Sequence, residues 1–294
     1  MSTNKKATVG HSMSHHTVTD TLRLINTMGG RAIQILLGDP GDKIVCSIEP
    51  TDAVTVLKIR EKHDFYVVVH GKFLYNFCRN AQSIEWQKNM LLKELTEASK
   101  INADVVVHQG KNLADLALTK PEAHQQYANN VSDVLLRAQK LGLKNKILLE
   151  NSARQGTECG YSLDDLYDIY SRLNPDVLNH VGFCIDLCHI FVSGELDMRK
   201  EKDVKEWFDR FKTLLGLDKL SLIHFNDSDT DFNGGNDNHG SVPYGYIGRV
   251  SIKGFQVVCK LCFDENIPMI LETPSKNMEE EIRTLNIWAD PSYI

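Results

Sequence analysis

The stretch FYVVVHG, residues 65–71, is an unbroken run of apolar and aromatic residues that ends at a histidine and a glycine. A second stretch of similar kind, ADVVVHQG, occupies residues 103–110. Near-continuous valine-rich runs, rather than runs that alternate with polar residues, are typical of parallel strands in a sheet that is covered on both faces. The two stretches therefore predict buried parallel strands that each end at a polar side chain.

Runs of this type recur along the whole chain. Between them lie longer segments with apolar residues three and four positions apart, such as SIEWQKNMLLKELTEASK (83–100), and this spacing is typical of helices. The other runs are ATVGH (7–11), RAIQILLG (31–38), KILLEN (146–151), VGFCID (181–186), LSLIHFND (220–227) and PMILETP (268–274).

Eight strand–helix units predict an α/β fold, namely a (β/α)8 TIM barrel in a single domain. A doubly wound open sheet is the alternative. No linker or low-complexity tract divides the chain, so we expect one barrel domain over residues 7–294. The first six residues are polar, and we expect a disordered N-terminal tail over residues 1–6.

Composition narrows the functional classes. The 294 residues carry a formal net charge of −6, which argues against binding nucleic acid by bulk basicity. The N-terminus has no secretory signal, and no apolar run is long enough to span a bilayer. Together with seven cysteines, an odd number, these features predict a protein of a reducing compartment, cytoplasm or nucleus, that is neither secreted nor bound to a membrane.

The side chains that end the strands suggest a shared site. One such residue alone has an ordinary structural explanation, but six successive strands end in an imidazole or a carboxylate. The carboxyl ends of barrel strands meet at one mouth, so we expect these groups to converge there. Imidazoles and carboxylates together are typical ligands of catalytic zinc, manganese or iron. The six residues are His70, His108, Glu150, Asp186, His224 and Glu272.

The segment GFCIDLCHIFVSG, residues 182–194, allows two interpretations. Either its two cysteines bind a metal, or Asp186 and His189 do so and the cysteines are packing residues. A structural zinc site would need further cysteines at matching spacing. The other close pair, Cys259 and Cys262, lies in an apolar, helix-like segment where buried thiols are common. We therefore predict Asp186 and His189 as the ligands.

A further pair, Asp237 and His239, lies in the glycine-rich stretch GGNDNHGS, residues 234–241. Side chains two positions apart in an extended loop can face one ion, although a flexible loop with incidental polar residues is the alternative. With the strand-end residues and His189, the candidates become five imidazoles and four carboxylates. Nine ligands exceed what two metals with open positions require, whereas three ions suit the number if one carboxylate bridges.

Several of these stretches together resemble the endonuclease IV family of apurinic/apyrimidinic (AP) endonucleases, from about residue 8 to residue 274. The family resemblance implies a (β/α)8 barrel that holds three Zn²⁺ ions, while the ligand types themselves also allow manganese or iron in part. The stretches are VVHGKFLYN (68–76), VVVHQG (105–110), ILLEN (147–151), GFCIDLCHIFVSG (182–194), IHFNDSDTDFNGGNDNHGSVPYGYIG (223–248) and MILETP (269–274).

The resemblance also implies how the nine ligands are shared. Catalytic roles fall to Glu150, which bridges two ions, and to Glu272. The first ion would be held by His70, His108 and Glu150; the second by Glu150, Asp186, His224 and Glu272; and the third by His189, Asp237 and His239.

The activity implied is hydrolysis of the phosphodiester 5′ to an abasic site in double-stranded DNA, which leaves a 3′-hydroxyl. We expect a monomeric hydrolase of base excision repair that also trims blocked 3′ ends. Bound metal ions would supply attraction to DNA that the acidic chain lacks.

The expected DNA contacts are where this chain departs from the family. Phe73 and Leu74 are predicted to enter the minor groove, with Lys72 near a phosphate. Phe73 stands where tyrosine is typical, and the stretch LLGDPGDK (36–43) lacks the arginine or glutamine expected after the second strand. Asn238 replaces a usual arginine, so we expect it to make a weaker contact with the DNA backbone.

Two other functions fit parts of the pattern. A metal-dependent sugar isomerase or epimerase of the same barrel type would also place Glu150, Asp186, His224 and Glu272 at strand ends, but it would not need His70, His108 or the Asp237–His239 loop. A module that binds abasic DNA without cutting it would not need a complete ligand set.

Overall fold

The computed structural model describes residues 6–108, 110–111, 118–290 and 293. Eight parallel strands form the barrel, namely β1 (Val9–Ser12), β2 (Ala32–Leu36), β3 (Tyr66–His70), β4 (Asp104–His108), β5 (Ile147–Glu150), β6 (Val181–Asp186), β7 (Leu220–His224) and β10 (Met269–Leu271). They close in the order β1-β10-β7-β6-β5-β4-β3-β2, which confirms the predicted TIM barrel and excludes the open sheet.

Helices surround the barrel and connect its strands. Two short strands, β8 (Asp227–Ser228) and β9 (His239–Gly240), form a separate antiparallel pair in the long connection after β7. The helices are α1 (Val18–Thr27), α2 (Pro50–His63), α3 (Glu85–Ser99), α4 (Lys120–Lys140), α5 (Leu163–Ser171), α6 (Leu187–Val192), α7 (Glu201–Leu215), α8 (Lys253–Glu265) and α9 (Met278–Ala289).

Local sequence signals explain where several helices begin. Thr17 and Ser162 each accept a hydrogen bond from a backbone N–H in the first turn, of α1 and α5 respectively. At α4, Thr119 and Glu122 form a reciprocal capping box. These side chains stabilise N–H groups that have no partner within the helix, so the connections to the helices end at defined residues.

The barrel interior explains why the strand ends converge. A layer of buried side chains, one from each of seven strands, fills the barrel: Ala32, Val68, Val106, Leu148, Cys184, Leu222 and Ile270. Because side chains alternate across a strand, the residue two positions later points to the same side. Those residues are Gln34, His70, His108, Glu150, Asp186, His224 and Glu272.

The domain prediction falls partly on residues outside this description. Of the expected tail, residues 1–5 lie outside the described residues, as do residues 291, 292 and 294 at the other end. The tail and the domain boundaries therefore stay predictions. Within the described part of the chain, no helix combines the length and the apolar character needed to cross a membrane.

Candidate metal centre

The structure brings all nine predicted metal ligands together at the mouth of the barrel. They form three groups, and within each group one ligand atom per residue lies within 4.8 Å of the others. The groups are His70, His108 and Glu150; Glu150, Asp186, His224 and Glu272; and His189, Asp237 and His239. Glu150 belongs to two groups, as a bridging carboxylate must.

In the first group two imidazoles face one oxygen of Glu150. His70 Nε2 lies 3.5 Å and His108 Nδ1 3.7 Å from Glu150 Oε2. This oxygen is buried and has no hydrogen-bond partner among the described residues. An unpaired buried carboxylate oxygen is costly, so a cation between these three residues would stabilise it.

The second group concentrates negative charge. His224 Nδ1 lies 2.9 Å from Glu150 Oε1, 3.1 Å from Glu272 Oε2 and 3.9 Å from Asp186 Oδ2. Burial raises the pKa of Asp186. Burial acts in the same sense on Glu150, but His108 and His224 outweigh it and hold the pKa of that carboxyl well below its usual range. Three carboxylates around one imidazole, two of them buried and Glu272 partly buried, require additional positive charge.

The third group joins α6 to the loop after β7. His189 Nε2 lies 3.0 Å from Asp237 Oδ2, and His239 Nε2 lies 3.0 Å from Asp237 Oδ1. Neither Nε2 atom is aligned to form a hydrogen bond, although both are buried. The two imidazoles thus face the two oxygens of one carboxylate without donating to them. Ligands around a shared ion have this arrangement.

The other ring nitrogen of four histidines is occupied, which sets the tautomer of the neutral ring. Nδ1 of His70 donates to the Gly71 carbonyl at 2.8 Å, and Nδ1 of His189 donates to the Asn151 carbonyl at 2.8 Å. Nδ1 of His239 contacts the Glu272 carbonyl at 3.3 Å. Metal-binding histidines commonly donate their second N–H to an oxygen in this way, so the residues fit divalent cations.

Gln34 orients the fourth of these histidines and was missed by sequence reasoning. Its Nε2 donates to Glu272 Oε1 at 2.5 Å, and its Oε1 accepts from His224 Nε2 at 2.7 Å. His224 Nδ1 is thereby left facing the carboxylates. The available signal was a polar residue inside RAIQILLG, two positions after an inward-facing alanine.

Two asparagines that follow strand ends were also missed. Asn226 donates to Asp186 Oδ2 at 2.6 Å and to Glu272 Oε2 at 3.2 Å. Asn151 accepts from the Asp186 backbone N–H at 2.7 Å. Each lies near a predicted ligand in sequence, but an amide is not itself a typical ligand of these metals, so the ligand pattern does not include it. Both residues hold the orientation of Asp186.

The loop that carries Asp237 and His239 is organised by Asp227. This buried carboxylate accepts backbone N–H groups of four residues at 2.8–3.0 Å, namely Ser228, Gly245, Ile247 and Gly248. Pairing of Ser228 with His239 then sets the position of the ligand strand β9. The loop is therefore built on hydrogen bonds, which argues against the alternative of incidental polar residues.

The cysteines behave mostly as packing residues. Cys184 lies in the barrel interior, and Cys259 and Cys262 are buried on α8. Cys188 differs, because its sulfur lies within 4.8 Å of ligand atoms of Asp186 and His239. The structure therefore places this thiol beside the third group, where the sequence predicted packing alone.

A cavity of about 500 Å³ opens beside the first and third groups. Phe73 exposes 59% of its surface at this edge, and its ring lies edge-on to His70 and His108, with centroids 5.2 and 5.8 Å apart. Leu74 is partly buried against the core and also lines the cavity. Both positions are compatible with the predicted contacts.

Lys72 requires a correction. Its side chain is 1% exposed, and its ammonium donates to the Asp39 carbonyl at 2.5 Å and to Asp42 Oδ1 at 3.0 Å. The sequence predicted that Lys72 lies near a DNA phosphate. In the structure the lysine instead stabilises the loop after β2, and its ammonium does not face the solvent. Asn238 is exposed, and its amide contacts Thr230 Oγ1 at 3.4 Å.

The chain is similar to known proteins along most of its length. The family model of xylose isomerase-like TIM barrels matches residues 22–288. An endonuclease 4 relative from Acanthamoeba polyphaga mimivirus is 32% identical over 252 residues, which cover 84% of this chain and 78% of the relative. Another endonuclease 4 relative, from Carboxydothermus hydrogenoformans, is 30% identical over 230 residues, which cover 77% of this chain and 76% of the relative.

The chain belongs to the endonuclease IV family. This assignment confirms the predicted family and the prediction of a hydrolase of the endonuclease type. Solved structures show the shared fold. Endonuclease IV from Thermus thermophilus superposes with a TM-score of 0.78 at 21% identity, covering 97% of this chain and 99% of that one. A D-tagatose 3-epimerase-like protein reaches 0.70 at 16% identity, covering 96% of each chain.

Proposed function

We propose that this endonuclease IV homologue is a metal-dependent AP endonuclease that hydrolyses the phosphodiester 5′ to an abasic site in double-stranded DNA. The observation that carries the proposal is the set of three ligand groups at one mouth, two of which share Glu150. A sugar isomerase of this barrel type would use the group of Glu150, Asp186, His224 and Glu272, but it has no evident use for the other two.

The residues fit three divalent cations. The nine ligands are five imidazoles and four carboxylates, with no thiolate among them. This set favours zinc in catalytic positions, with manganese or iron as partial substitutes. Such ions lower the pKa of water and neutralise charge on a phosphate, and this is the chemistry they would supply here. Glu150 and Glu272 would act from the second group as the catalytic carboxylates.

The surrounding residues preorganise this centre. Gln34 and Asn226 hold Glu272 and Asp186 by charge-assisted hydrogen bonds, so these carboxylates keep their positions before substrate arrives. Phe73 provides an exposed aromatic face beside the ligands, on which an unstacked base or sugar can rest. Leu74 and Asn238 stay candidates for DNA contacts on the same rim.

We further infer that the product carries a 3′-hydroxyl and that blocked 3′ ends in duplex DNA are also trimmed, since both reactions break a phosphodiester at a 3′ oxygen. These activities suit base excision repair. We infer a monomer, because the centre takes all nine ligands from one chain.

A duplex oligonucleotide with one tetrahydrofuran abasic analogue tests the proposal. Zinc-loaded protein should cut the strand 5′ to the analogue, and a DNA polymerase should extend the resulting 3′ end. The same protein treated with a chelator should not cut. Retention of the duplex without cutting would favour a binding module, and neither binding nor cutting would favour the sugar isomerase.

A further inference from the structure

Arg154 adopts an unusual backbone conformation in the connection between β5 and α5. Its φ is +62°, in the left-handed region that few non-glycine residues adopt. The other non-glycine residues with positive φ in the described part of the chain are Asp64, Asn102, Asn233 and Asn266. Aspartate and asparagine tolerate this region, whereas arginine has no local reason to occupy it.

The side chain of Arg154 is held against neighbouring segments. Nη1 donates to the Ser193 carbonyl at 3.1 Å and lies 3.4 Å from Asn233 Oδ1. The guanidinium carbon lies 5.3 Å from the centre of the Tyr161 ring. None of these contacts is with a carboxylate. Arg154 is thus an exposed and oriented cation.

Its location relates it to the third ligand group. Asn151, three residues earlier, accepts the Nδ1 hydrogen bond of His189. Ser152 and Ala153 line the cavity together with His189 and Asp237. The Arg154 carbonyl would lie 4.0 Å from a Cβ atom at Gly235, two residues before Asp237. Ser193 follows α6, which carries His189, and Asn233 lies in the loop that carries Asp237, so the guanidinium lies beside both segments that supply the third ligand group.

We propose that Arg154 binds a phosphate of the DNA backbone that flanks the scissile phosphodiester; the inference rests on the proposed function. A guanidinium has five N–H donors, and both hydrogen bonds of Arg154 are made by Nη1. Nearby lysines are already neutralised, since Lys72 pairs with Asp42 and Lys111 with Glu158. In a chain of net charge −6, an exposed arginine beside the third ligand group, with no carboxylate among its contacts, is suited to hold a backbone phosphate.

The test compares Arg154→Asn, which keeps a residue that tolerates the left-handed backbone, with Arg154→Lys, which keeps the charge. Arg23→Ala is the matched control, because it removes one positive charge from α1 on the outside of the barrel. For each zinc-loaded protein, kcat/KM on the duplex with the abasic analogue is measured over a range of salt concentrations. Zinc per chain and Tm are measured on the same preparations.

We expect Arg154→Asn to raise KM several-fold with kcat unchanged, since a phosphate held equally in ground and transition states affects binding. The slope of log kcat/KM against log salt should become shallower by about 0.9, the value for one lost phosphate contact. Arg154→Lys and Arg23→Ala should keep the parental slope, and all variants should keep the parental zinc content.

The role of Arg154 would be overturned if Arg154→Asn kept the parental dependence of kcat/KM on salt. It would also be overturned if the slope became equally shallow in Arg154→Lys. Loss of zinc from Arg154→Asn would overturn it too, because the arginine would then position the ligand loop. If the parental protein itself failed to cut the duplex, the proposed function would fall, and the two failures are thereby distinguished.

Discussion

Phe73 combines wide exposure with contact to two candidate ligands, His70 and His108. If its ring stacks on DNA beside the lesion, Phe73→Ala should weaken binding of abasic duplex by about 1–3 kcal/mol. Zinc content should not change, because the ring supplies no ligand atom. Fluorescence anisotropy of the zinc-loaded proteins checks the effect, with duplexes that carry or lack the abasic analogue and have a non-hydrolysable linkage in place of the phosphodiester 5′ to it.

Ile287→Ala is a suitable control for the loss of Phe73, since Ile287 is an exposed apolar residue on α9. It should leave the affinity unchanged. Equal affinity of Phe73→Ala and the parent for abasic duplex would remove Phe73 from the recognition surface.

Glu94 on α3 is a fully buried acid whose Oε1 has no hydrogen-bond partner among the described residues. Burial raises its pKa to about 7, although Tyr75 and the Lys72 N–H act in the opposite sense. The folded protein therefore holds a proton that the unfolded chain releases near pH 4.5. Since the folded state binds more protons between these values, the free energy of unfolding falls as pH rises from about 4.5 to 7.

Glu94→Gln removes this titration. Relative to the parent, we expect the variant to gain about 2–3 kcal/mol in the free energy of unfolding between pH 5 and pH 8, because a shift of one pKa unit corresponds to 1.36 kcal/mol. Urea denaturation of both proteins at the two pH values measures the change. A difference between variant and parent that is the same at both pH values would show that Glu94 titrates normally.

At the scale of elements, the third ligand group is the part of the centre that depends on a loop. Asp237 and His239 come from the connection after β7, and Asp227 holds that connection independently of any ligand. The double variant Asp237→Ala, His239→Ala should therefore keep the barrel and lower bound zinc from about three to about two ions per chain. Activity should fall by several orders of magnitude, because one ion that stabilises the transition state contributes several kcal/mol.

Elemental analysis and single-turnover incision on one preparation check the double variant. Asp231→Asn is the matched control, since Asp231 lies in the same loop and pairs with Arg199 instead of a ligand. Three ions in the double variant, or cutting at a rate near that of the parent, would contradict the assignment of the third group.

At the scale of the whole molecule, the centre couples metal binding to stability. Without ions, protons must compensate the buried carboxylates. Burial opposes protonation of His70 and His239, yet Glu150 beside His70 and Asp186 and Asp237 beside His239 raise the pKa of each imidazole to about 9. Because these pKa values exceed the unfolded value of 6.5, their stabilising effect is complete below pH 6.5 and is lost as pH rises to about 9.

The metal-free protein should accordingly have a Tm that falls between pH 6.5 and 9, whereas the zinc-loaded protein, with neutral imidazoles, should be much less sensitive. The gap between the two Tm values should widen with pH. Differential scanning calorimetry with and without a chelator measures it, and a constant gap over this range would contradict the coupling of these histidines to the centre.

The sequence alone determined the barrel and the identity of the candidate ligands. Strand runs such as FYVVVHG are local patterns, and the period of two places His70 on the same side as Val68 without knowledge of other strands. The carboxyl ends of parallel barrel strands must meet, so convergence at one mouth follows from fold class.

Tertiary structure decided what each polar group contacts. Lys72 follows a strand end and carries a charge, yet packing against the loop after β2 buries it on Asp39 and Asp42. Gln34 lies on a different strand from His224 and Glu272 and meets them only because the barrel closes. Arg154, between β5 and α5, contacts Ser193 after α6 and Asn233 in the loop after β7. Such contacts join residues far apart in the chain, and their distances depend on how the loops fold, which no local period specifies.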